Sequence, residues 1–281
     1  MKIIEKISEM KNLIRSWKEK KLRIALVPTM GYLHEGHLSL VRKAKALGDK
    51  TVVSIFVNPL QFGPKEDFRE YPRDLERDKA LLEKEGVDTV FVPLAEEMYP
   101  SNFQTYVEVT QLTQGLCGAF RPGHFKGVTT VVLKLFNIIE PDWAIFGEKD
   151  YQQLKVIQQM VKDLNLEVKI IGCPTVREKD GLAMSSRNTY LSSEERISAL
   201  SLYKALNLAE ELIKRGEKES KEIKKKLKEL ISSFPYTQVQ YIELVDPETL
   251  EPVEKVEKPI LCALAVWVGK TRLIDNKIIS P

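Results

Sequence analysis

Cysteine and histidine are scarce in this sequence, which has three of each among 281 residues. The cysteines, Cys117, Cys173 and Cys262, lie far apart and form no Cys-x-x-Cys pair. An odd number with this spacing argues against a disulfide framework and against a structural zinc site. We therefore interpret the cysteines as small core residues.

Long apolar runs and a strong net charge are also lacking. No apolar run is long enough to cross a bilayer, and the amphipathic helix predicted for residues 1–20 carries acidic residues, unlike a secretory signal. The net charge of +3 provides no basic surface of the kind that nucleic acid requires. With 43% hydrophobic and 30% charged residues, the chain is expected to be a cytoplasmic protein with a sizeable core and no nucleic-acid or membrane partner.

Apolar runs alternate with helix-like stretches up to residue 174. Strands are predicted at 22–28, 50–59, 88–93, 142–147 and 167–174, and helices at 36–48, 71–88, 127–141 and 151–165. Nearly continuous apolar strands that alternate with helices predict an α/β fold with a parallel sheet covered on both faces. Ligands bind such sheets beyond the carboxyl ends of the strands, so the site is expected in the loops there.

The pattern changes after Pro174. Residues 192–234 predict two helices, with Ser192 or Ser193 as the first N-cap, and strands follow at 239–246, 260–269 and 271–276. A tight turn joins the last two strands. We therefore predict a first domain at residues 1–174 and a smaller α+β domain at residues 175–281.

The segment "PTMGYLHEGHLSLV" places His34 and His37 where a strand gives way to a helix. A helix that begins near Gly36 would favour an anion at its N-terminus, and imidazoles there can donate hydrogen bonds to phosphate. The motif alone leaves two alternatives open, since the histidines could be ordinary turn residues or metal ligands. A metal would need further ligands, and the remaining histidine is His124 in "RPGHFKG".

Two other segments carry groups suited to a nucleotide. In "GEKDYQQL", Lys149 could bind phosphate and Asp150 could contact ribose or a hydrated metal ion, or cap the next helix. In "AMSSRN", two serine hydroxyls and Arg187 could bind phosphates, although serine-rich turns are common.

The segment "FVNPLQFGP" carries neutral amides, Asn58 and Gln61, at the end of a predicted strand. Such groups suit the hydroxyls and carboxylate of a small polar acid. By itself the segment equally predicts an Asn-Pro turn with an exposed glutamine.

Five segments taken together resemble the signature segments of the pantoate–β-alanine ligases, also called pantothenate synthetases. This family belongs to the nucleotidyltransferase superfamily with HIGH-type histidine motifs. The segments are "PTMGYLHEGHLSLV", "FVNPLQFGP", "RPGHFKGVTTVV", "FGEKDYQQL" and "REKDGLAMSSRN". The resemblance runs nearly end to end. It implies a Rossmann-like N-terminal domain, a C-terminal lid domain and a homodimer. It also implies ATP-dependent condensation of (R)-pantoate with β-alanine through pantoyl adenylate, with Mg²⁺ accompanying ATP and with release of pyrophosphate and AMP.

The resemblance further implies roles for individual residues. The implied catalytic residues are His37, His34, Lys149 and Arg187. The implied ATP-binding residues are Met30, Gly31, Tyr32, Leu33, His34, Glu35, Gly36, His37, Gly147, Glu148, Lys149, Asp150, Val176, Met184, Ser185, Ser186 and Arg187. Substrate-binding roles are implied for Gln61, Gln153, Asn58, Arg121 and His124, the last two in a supporting role, and Asp150 would contact the ribose or the magnesium ion. The segment "MSSR" lacks the lysines of the superfamily's KMSKS loop, so Arg187 and Lys149 would supply the cations.

Two alternatives accompany this interpretation. One is a nucleotidyltransferase with a phosphorylated acceptor, which would need cations in place of the neutral Asn58 and Gln61. The other is a non-catalytic metal- or nucleotide-binding protein that uses His34, His37 and His124. The sequence shows no Ser-His-Asp or Cys-His pattern that would indicate a nucleophilic side chain.

Overall fold

The computed structural model describes residues 1–64 and 66–281, which divide into two compact units. The first unit consists of Met1–Gln111, Arg121–Glu148 and Gln153–Pro174. The second consists of Leu112–Phe120, Lys149–Gln152 and Thr175–Pro281. None of the helices in the described residues is both long and apolar enough to span a bilayer.

The first unit is built on a parallel sheet of six strands: β1 (Lys2–Ile4), β2 (Ile24–Thr29), β3 (Lys50–Ile55), β4 (Thr89–Phe91), β5 (Trp143–Gly147) and β6 (Lys169–Cys173). Their spatial order is β1-β4-β3-β2-β5-β6. The chain therefore builds outwards in both directions from β2, which pairs with β3 on one side and β5 on the other. A doubly wound sheet opens a crevice at the carboxyl ends of such neighbouring strands, and ligands bind there.

Helices cover both faces of this sheet. The helices up to residue 163 are α1 (Ile7–Glu19), α2 (Glu35–Leu47), α3 (Leu75–Lys84), α4 (Ala95–Met98), α5 (Leu116–Phe120), α6 (His124–Ile139) and α7 (Tyr151–Asp163), of which α5 belongs to the second unit. Buried residues of α1, α6 and α7 pack in one apolar cluster, and those of α2 and α3 pack in another. This arrangement confirms the predicted α/β fold class. It also confirms that the β-branched segment within residues 127–141 is a helix.

The N-terminus differs from the prediction. Lys2–Ile4 form β1, which pairs in parallel with β4, and the helix begins only at Ile7. The prediction of one helix over residues 1–20 was therefore wrong at its start, and five predicted strands become six. A strand of three residues has no periodicity of its own, so its state is decided by the tertiary partner at Thr89–Phe91.

The second unit contains α8 (Ser193–Lys214), α9 (Ser220–Ser232) and an antiparallel sheet of β7 (Thr237–Val245), β8 (Ile260–Val268) and β9 (Thr271–Ile279). Of the two predicted candidates, Ser192 and Ser193, Ser192 is the N-cap of α8, and it forms a reciprocal capping box with Glu195. One face of the sheet packs on both helices through a single apolar cluster. The turn at Gly269–Lys270 joins β8 to β9 as the predicted hairpin.

Candidate active site

The loop between β2 and α2 turns through two successive left-handed residues, Gly31 (φ +84°) and Tyr32 (φ +51°). The buried carboxylate of Asp78 on α3 holds this turn, because its two oxygens accept the backbone N–H groups of Tyr32 and Leu33, each at 2.7 Å. Burial raises the pKa of Asp78, although the two backbone N–H groups and Arg77 oppose that shift. A side chain at position 31 would lie 3.1 Å from Asp78 Oδ2, so glycine suits this position for space as well as for conformation.

Asp78 was not among the residues predicted from the sequence. It lies one helical turn before the buried Leu82 on α3, so the helical repeat places it on the buried face. A carboxylate on the apolar face of a predicted helix could have indicated this role. A buried charge is retained only where hydrogen-bond partners compensate it, so such a residue is expected to hold another part of the structure.

His34 and His37 stand at the N-terminus of α2. His34 is the N-cap, and its Nδ1 accepts the N–H of Gly36 at 3.1 Å, while Nδ1 of His37 accepts the N–H of His34 at 3.3 Å. The ring centroids are 4.1 Å apart. Because each Nδ1 accepts a hydrogen bond, the proton of each neutral ring lies on Nε2 and makes it a donor. Two imidazole donors thus stand beside the helix N-terminus, which itself favours an anion.

This geometry bears on the alternatives left open by the motif. Both Nδ1 atoms are engaged by the backbone, and the resulting tautomer places hydrogen rather than a lone pair on Nε2. Among the described residues, no group of three His, Cys, Asp or Glu side chains is placed to hold a metal ion. The histidine pair therefore suits phosphate oxygens better than a metal.

Asn58 follows β3 and is almost completely buried. Its Oδ1 accepts from Leu60 N at 3.3 Å and from the Tyr99 hydroxyl at 2.8 Å. Its Nδ2 donates to the carbonyl of Gly127 at 3.0 Å and to Oε1 of Gln61 at 3.2 Å. Asn58 therefore fixes the side chain of Gln61, and Tyr99, which was not predicted from the sequence, fixes Asn58.

Gln61 is likewise buried and aims its amide at Met30. Its Nε2 donates to the thioether sulfur of Met30 at 3.0 Å. A thioether is a weak acceptor, so an incoming carboxylate or hydroxyl oxygen would satisfy this amide better. Gln61 thus combines a fixed orientation with an N–H group suited to a small polar acid.

The predicted residues Arg121 and His124 support the backbone of Gln61. His124 Nδ1 donates to the Gln61 carbonyl at 2.8 Å, and Arg121 Nη1 donates to His124 Nε2 at 3.0 Å. Arg121 also binds Glu66 through two hydrogen bonds of 2.7 Å. Burial opposes the charge of Glu66, but its neighbours, Arg121 foremost among them, together outweigh burial and lower the pKa of this carboxyl. Both ring nitrogens of His124 are used in this network. The metal-binding alternative needed His124 as a third ligand beside His34 and His37, and its hydrogen bonds give it a supporting role instead.

The segment after β5 divides between the two units. Gly147 and Glu148 belong to the first unit, as does Gln153, which is half-buried in the first turn of α7. Lys149 and Asp150 belong to the second unit, where Lys149 Nζ lies 3.8 Å from Asp150 Oδ1. The Lys149 side chain is largely buried, whereas that of Asp150 is half exposed and accessible to a ligand or a hydrated ion.

The remaining predicted ATP contacts lie on one local structure in the second unit. The N–H of Met184 donates to the Val176 carbonyl at 3.0 Å, which closes a hairpin-like loop. A 3₁₀ turn follows at Ser186–Tyr190, and Ser185 Oγ accepts from Arg187 N at 3.3 Å. The loop therefore brings Val176 next to Met184 and presents the serine hydroxyls and Arg187 in succession.

The chain is similar to known proteins over nearly its whole length. A family model described as pantoate–β-alanine ligase matches residues 2–278. The pantothenate synthetase of Caldicellulosiruptor saccharolyticus is 61% identical over 280 residues, which cover 100% of both chains. That of Thermotoga petrophila is 59% identical with the same coverage.

Solved structures give the same result. The crystal structure of pantothenate synthetase from Thermus thermophilus matches with a TM-score of 0.95 at 46% identity and covers 100% of both chains. The pantoate–β-alanine ligase of Francisella tularensis, complexed with β,γ-ATP and β-alanine, has a TM-score of 0.83 at 38% identity, covering 99% of this chain and 97% of that one. The predicted fold and ligase activity are thereby confirmed, and the chain belongs to the pantoate–β-alanine ligase family.

Proposed function

We propose that this ligase condenses (R)-pantoate with β-alanine in two steps, with His34 and His37 facing the phosphates of ATP. In the first step, a carboxylate oxygen of pantoate attacks the α-phosphorus of ATP, and pyrophosphate leaves. In the second, the amine of β-alanine attacks the acyl carbon of pantoyl adenylate, AMP leaves, and the amine loses a proton as the amide forms. The observation that carries this proposal is the pair of Nε2 donors at the N-terminus of α2.

The role proposed for the two histidines is electrostatic. As pyrophosphate departs, negative charge grows on the phosphate oxygens, and donors that are already oriented stabilise it without reorganisation. The backbone bonds at Nδ1 hold both rings in place and fix the proton on Nε2. Neither ring needs to act as a nucleophile, so positioning and charge stabilisation account for the chemistry.

We propose that Gln61 and Gln153 hold pantoate, with Asn58, Arg121 and His124 supporting Gln61. This assignment rests on the network around Gln61, whose side chain is held by Asn58 and whose carbonyl is held by His124. The subsite is formed by neutral amides, whereas a phosphorylated acceptor would need cations. Pantoate, with one carboxylate and two hydroxyls, fits such a site better.

We propose that the ATP site comprises the loop from Met30 to His37, the residues Gly147 to Asp150, Val176, and the segment from Met184 to Arg187. Lys149 and Arg187 would contribute the cations to the phosphates. The second unit, which carries both, would act as a lid that excludes water and protects the adenylate from hydrolysis.

We also propose that Mg²⁺ enters with ATP and is held mainly by phosphate oxygens. The described residues provide no ready-made cluster of metal ligands, and magnesium bound to nucleotides needs only one or two protein carboxylates. The half-exposed Asp150 fits that requirement. When bound, the ion would neutralise phosphate charge. We further propose that the enzyme is a cytoplasmic homodimer, as the family resemblance implies and as an ATP-consuming biosynthetic reaction favours.

Exchange between ATP and labelled pyrophosphate tests the two-step route. We expect exchange that depends on pantoate and does not need β-alanine. Mass detection should find pantothenate and AMP only when all three substrates are present. Exchange without pantoate, or exchange driven by a phosphorylated acceptor, would contradict the proposal.

A further inference from the structure

Two adjacent residues of β9, Asp275 and Asn276, contact the two segments of the second unit that carry the proposed phosphate-binding cations, Lys149 and Arg187. Side chains alternate across a strand, so the two residues point to opposite faces of the antiparallel sheet. Asp275 is opposite Leu264 on the face that packs on α8 and α9, and Asn276 is opposite Ala263 on the other face.

Asn276 holds the turn that contains Lys149. Its Nδ2 donates to the Lys149 carbonyl at 2.8 Å. The neighbour across the ladder, Ala263, has a small buried side chain, which leaves room for this turn to approach the sheet. Although Lys149 follows a strand of the first unit along the chain, this contact fastens its backbone to the sheet of the second.

Asp275 holds the loop that leads to Met184 and Arg187. Its two oxygens accept from Arg177, at 2.6 Å from Nη1 and 3.0 Å from Nη2. Arg177 also donates to the Gly181 carbonyl at 3.1 Å. A bidentate pair of this kind fixes direction as well as distance, so the loop is anchored to β9.

We propose that Asn276 is a positioning residue for adenylation, and that it acts by fixing the backbone of Lys149. With Asp275 on the opposite face, it makes β9 the common support of the Lys149 turn and the Met184–Arg187 loop. Both cations then keep a constant spacing within one compact unit. This inference rests on the proposed function, because it takes Lys149 as a phosphate contact.

The first test replaces the amide by an apolar side chain of similar size. Asn276→Leu should lower kcat of pantoate-dependent ATP–pyrophosphate exchange by about 10- to 100-fold, the cost expected when a catalytic group shifts by about 1 Å. KM for pantoate should stay unchanged, because no pantoate contact is altered. Aspartate has the size of asparagine but lacks the N–H donor, so Asn276→Asp should lose the same activity. This variant provides the test if the leucine variant does not fold.

A matched control lies two residues further along the same face of β9. Ile278 is 48% exposed, and Ile278→Ala should retain wild-type exchange and thermal unfolding. If both Asn276 variants fold with wild-type kcat, the positioning role is overturned. The same holds if both variants raise KM for pantoate as much as they lower kcat.

A double-mutant cycle with Lys149→Met separates the inference from the proposed function. If Asn276 acts through Lys149, the double variant should exchange no more slowly than Lys149→Met alone. Effects that multiply would overturn the positioning role and leave the role of Lys149 intact. Normal exchange in Lys149→Met would instead overturn the proposed role of Lys149, and the positioning role with it.

Discussion

Asp78 accepts the backbone N–H of Tyr32 at 2.7 Å and thereby fixes a left-handed residue just ahead of the two histidines. Non-glycine residues rarely adopt this conformation, and they keep it only where the surroundings impose it. Here a buried carboxylate on α3 imposes it from outside the loop. The shape of the predicted ATP loop therefore depends on a residue more than forty positions further along the chain.

The first prediction concerns Asp78→Asn. The amide would keep one acceptor but would turn an N–H group towards a backbone N–H, so one of the two hydrogen bonds would be lost. Since a hydrogen bond to a charged group contributes about 1.5–3 kcal/mol, we expect KM for ATP to rise by about 10-fold or more. Steady-state kinetics with ATP and pantoate varied separately would measure the change.

Asp74→Asn is the matched control for this prediction. Asp74 is the N-cap of the same helix and accepts from Arg77 N at 3.0 Å, and asparagine caps helices about as well as aspartate. We expect wild-type kinetics from it. An unchanged KM for ATP in a folded Asp78→Asn variant would show that the turn does not need the carboxylate.

The second prediction concerns His37, whose two ring nitrogens have different tasks. Asparagine can place an acceptor near the position of Nδ1, and glutamine can place a donor near that of Nε2. His37→Asn should retain the stability of the helix start but lower the adenylation rate by about two to three powers of ten, as for loss of a transition-state donor. His37→Gln should be the more active of the two variants. Near-normal exchange in His37→Asn would remove this residue from the mechanism.

Much of the fold could be predicted because its signals are local. Apolar strands that end in loops, helices with N-caps and a tight hairpin turn all leave patterns within about fifteen residues. The strand Lys2–Ile4 could not be recognised, because three residues show no period and its pairing partner lies near Val90. The helix that was predicted there in fact begins at Ile7.

The candidate site was predictable where side chains follow strands directly, and less so where they act through others. His34, His37 and Gln61 lie within a few residues of the ends of β2 and β3. Asp78 and Tyr99 come from other elements and reach the site only through the tertiary fold. Sequence spacing could not show either contact. It also could not show that one of the hydrogen bonds of the buried Asn58 side chain holds Gln61.

The third prediction concerns Gln61→Ala. A neutral amide has no phosphate to hold in the proposed site, so the variant should raise KM for pantoate more than KM for ATP. Gln153→Ala should behave in the same way if both glutamines bind pantoate. Gln159→Ala is a suitable control on α7, because its amide contacts Asp163 in an exposed position. Equal weakening of ATP and pantoate by Gln61→Ala would contradict the assignment.

The last prediction concerns pH and the pair formed by Glu66 and Arg121. Burial disfavours the charge of Glu66, yet Arg121 lowers the pKa of Glu66 below its usual value. A carboxyl with a lowered pKa stabilises the fold when ionised, and this contribution is lost as pH falls through the folded-state pKa. At neutral pH we expect Glu66→Gln to reduce the free energy of unfolding by about 1.5–3 kcal/mol, the range for hydrogen bonds to a charged group.

That deficit should shrink as the pH falls below about 4.3, the usual pKa of glutamate in an unfolded chain, because the wild-type carboxyl then also becomes neutral. Denaturant unfolding of both proteins between pH 7 and pH 3 would measure the difference, with the exposed Glu108→Gln as a control that should match the wild type throughout. A deficit that stays constant down to pH 3 would mean that Glu66 acts through its shape and not its charge. The network that holds the Gln61 carbonyl would then depend on packing rather than on the ion pair.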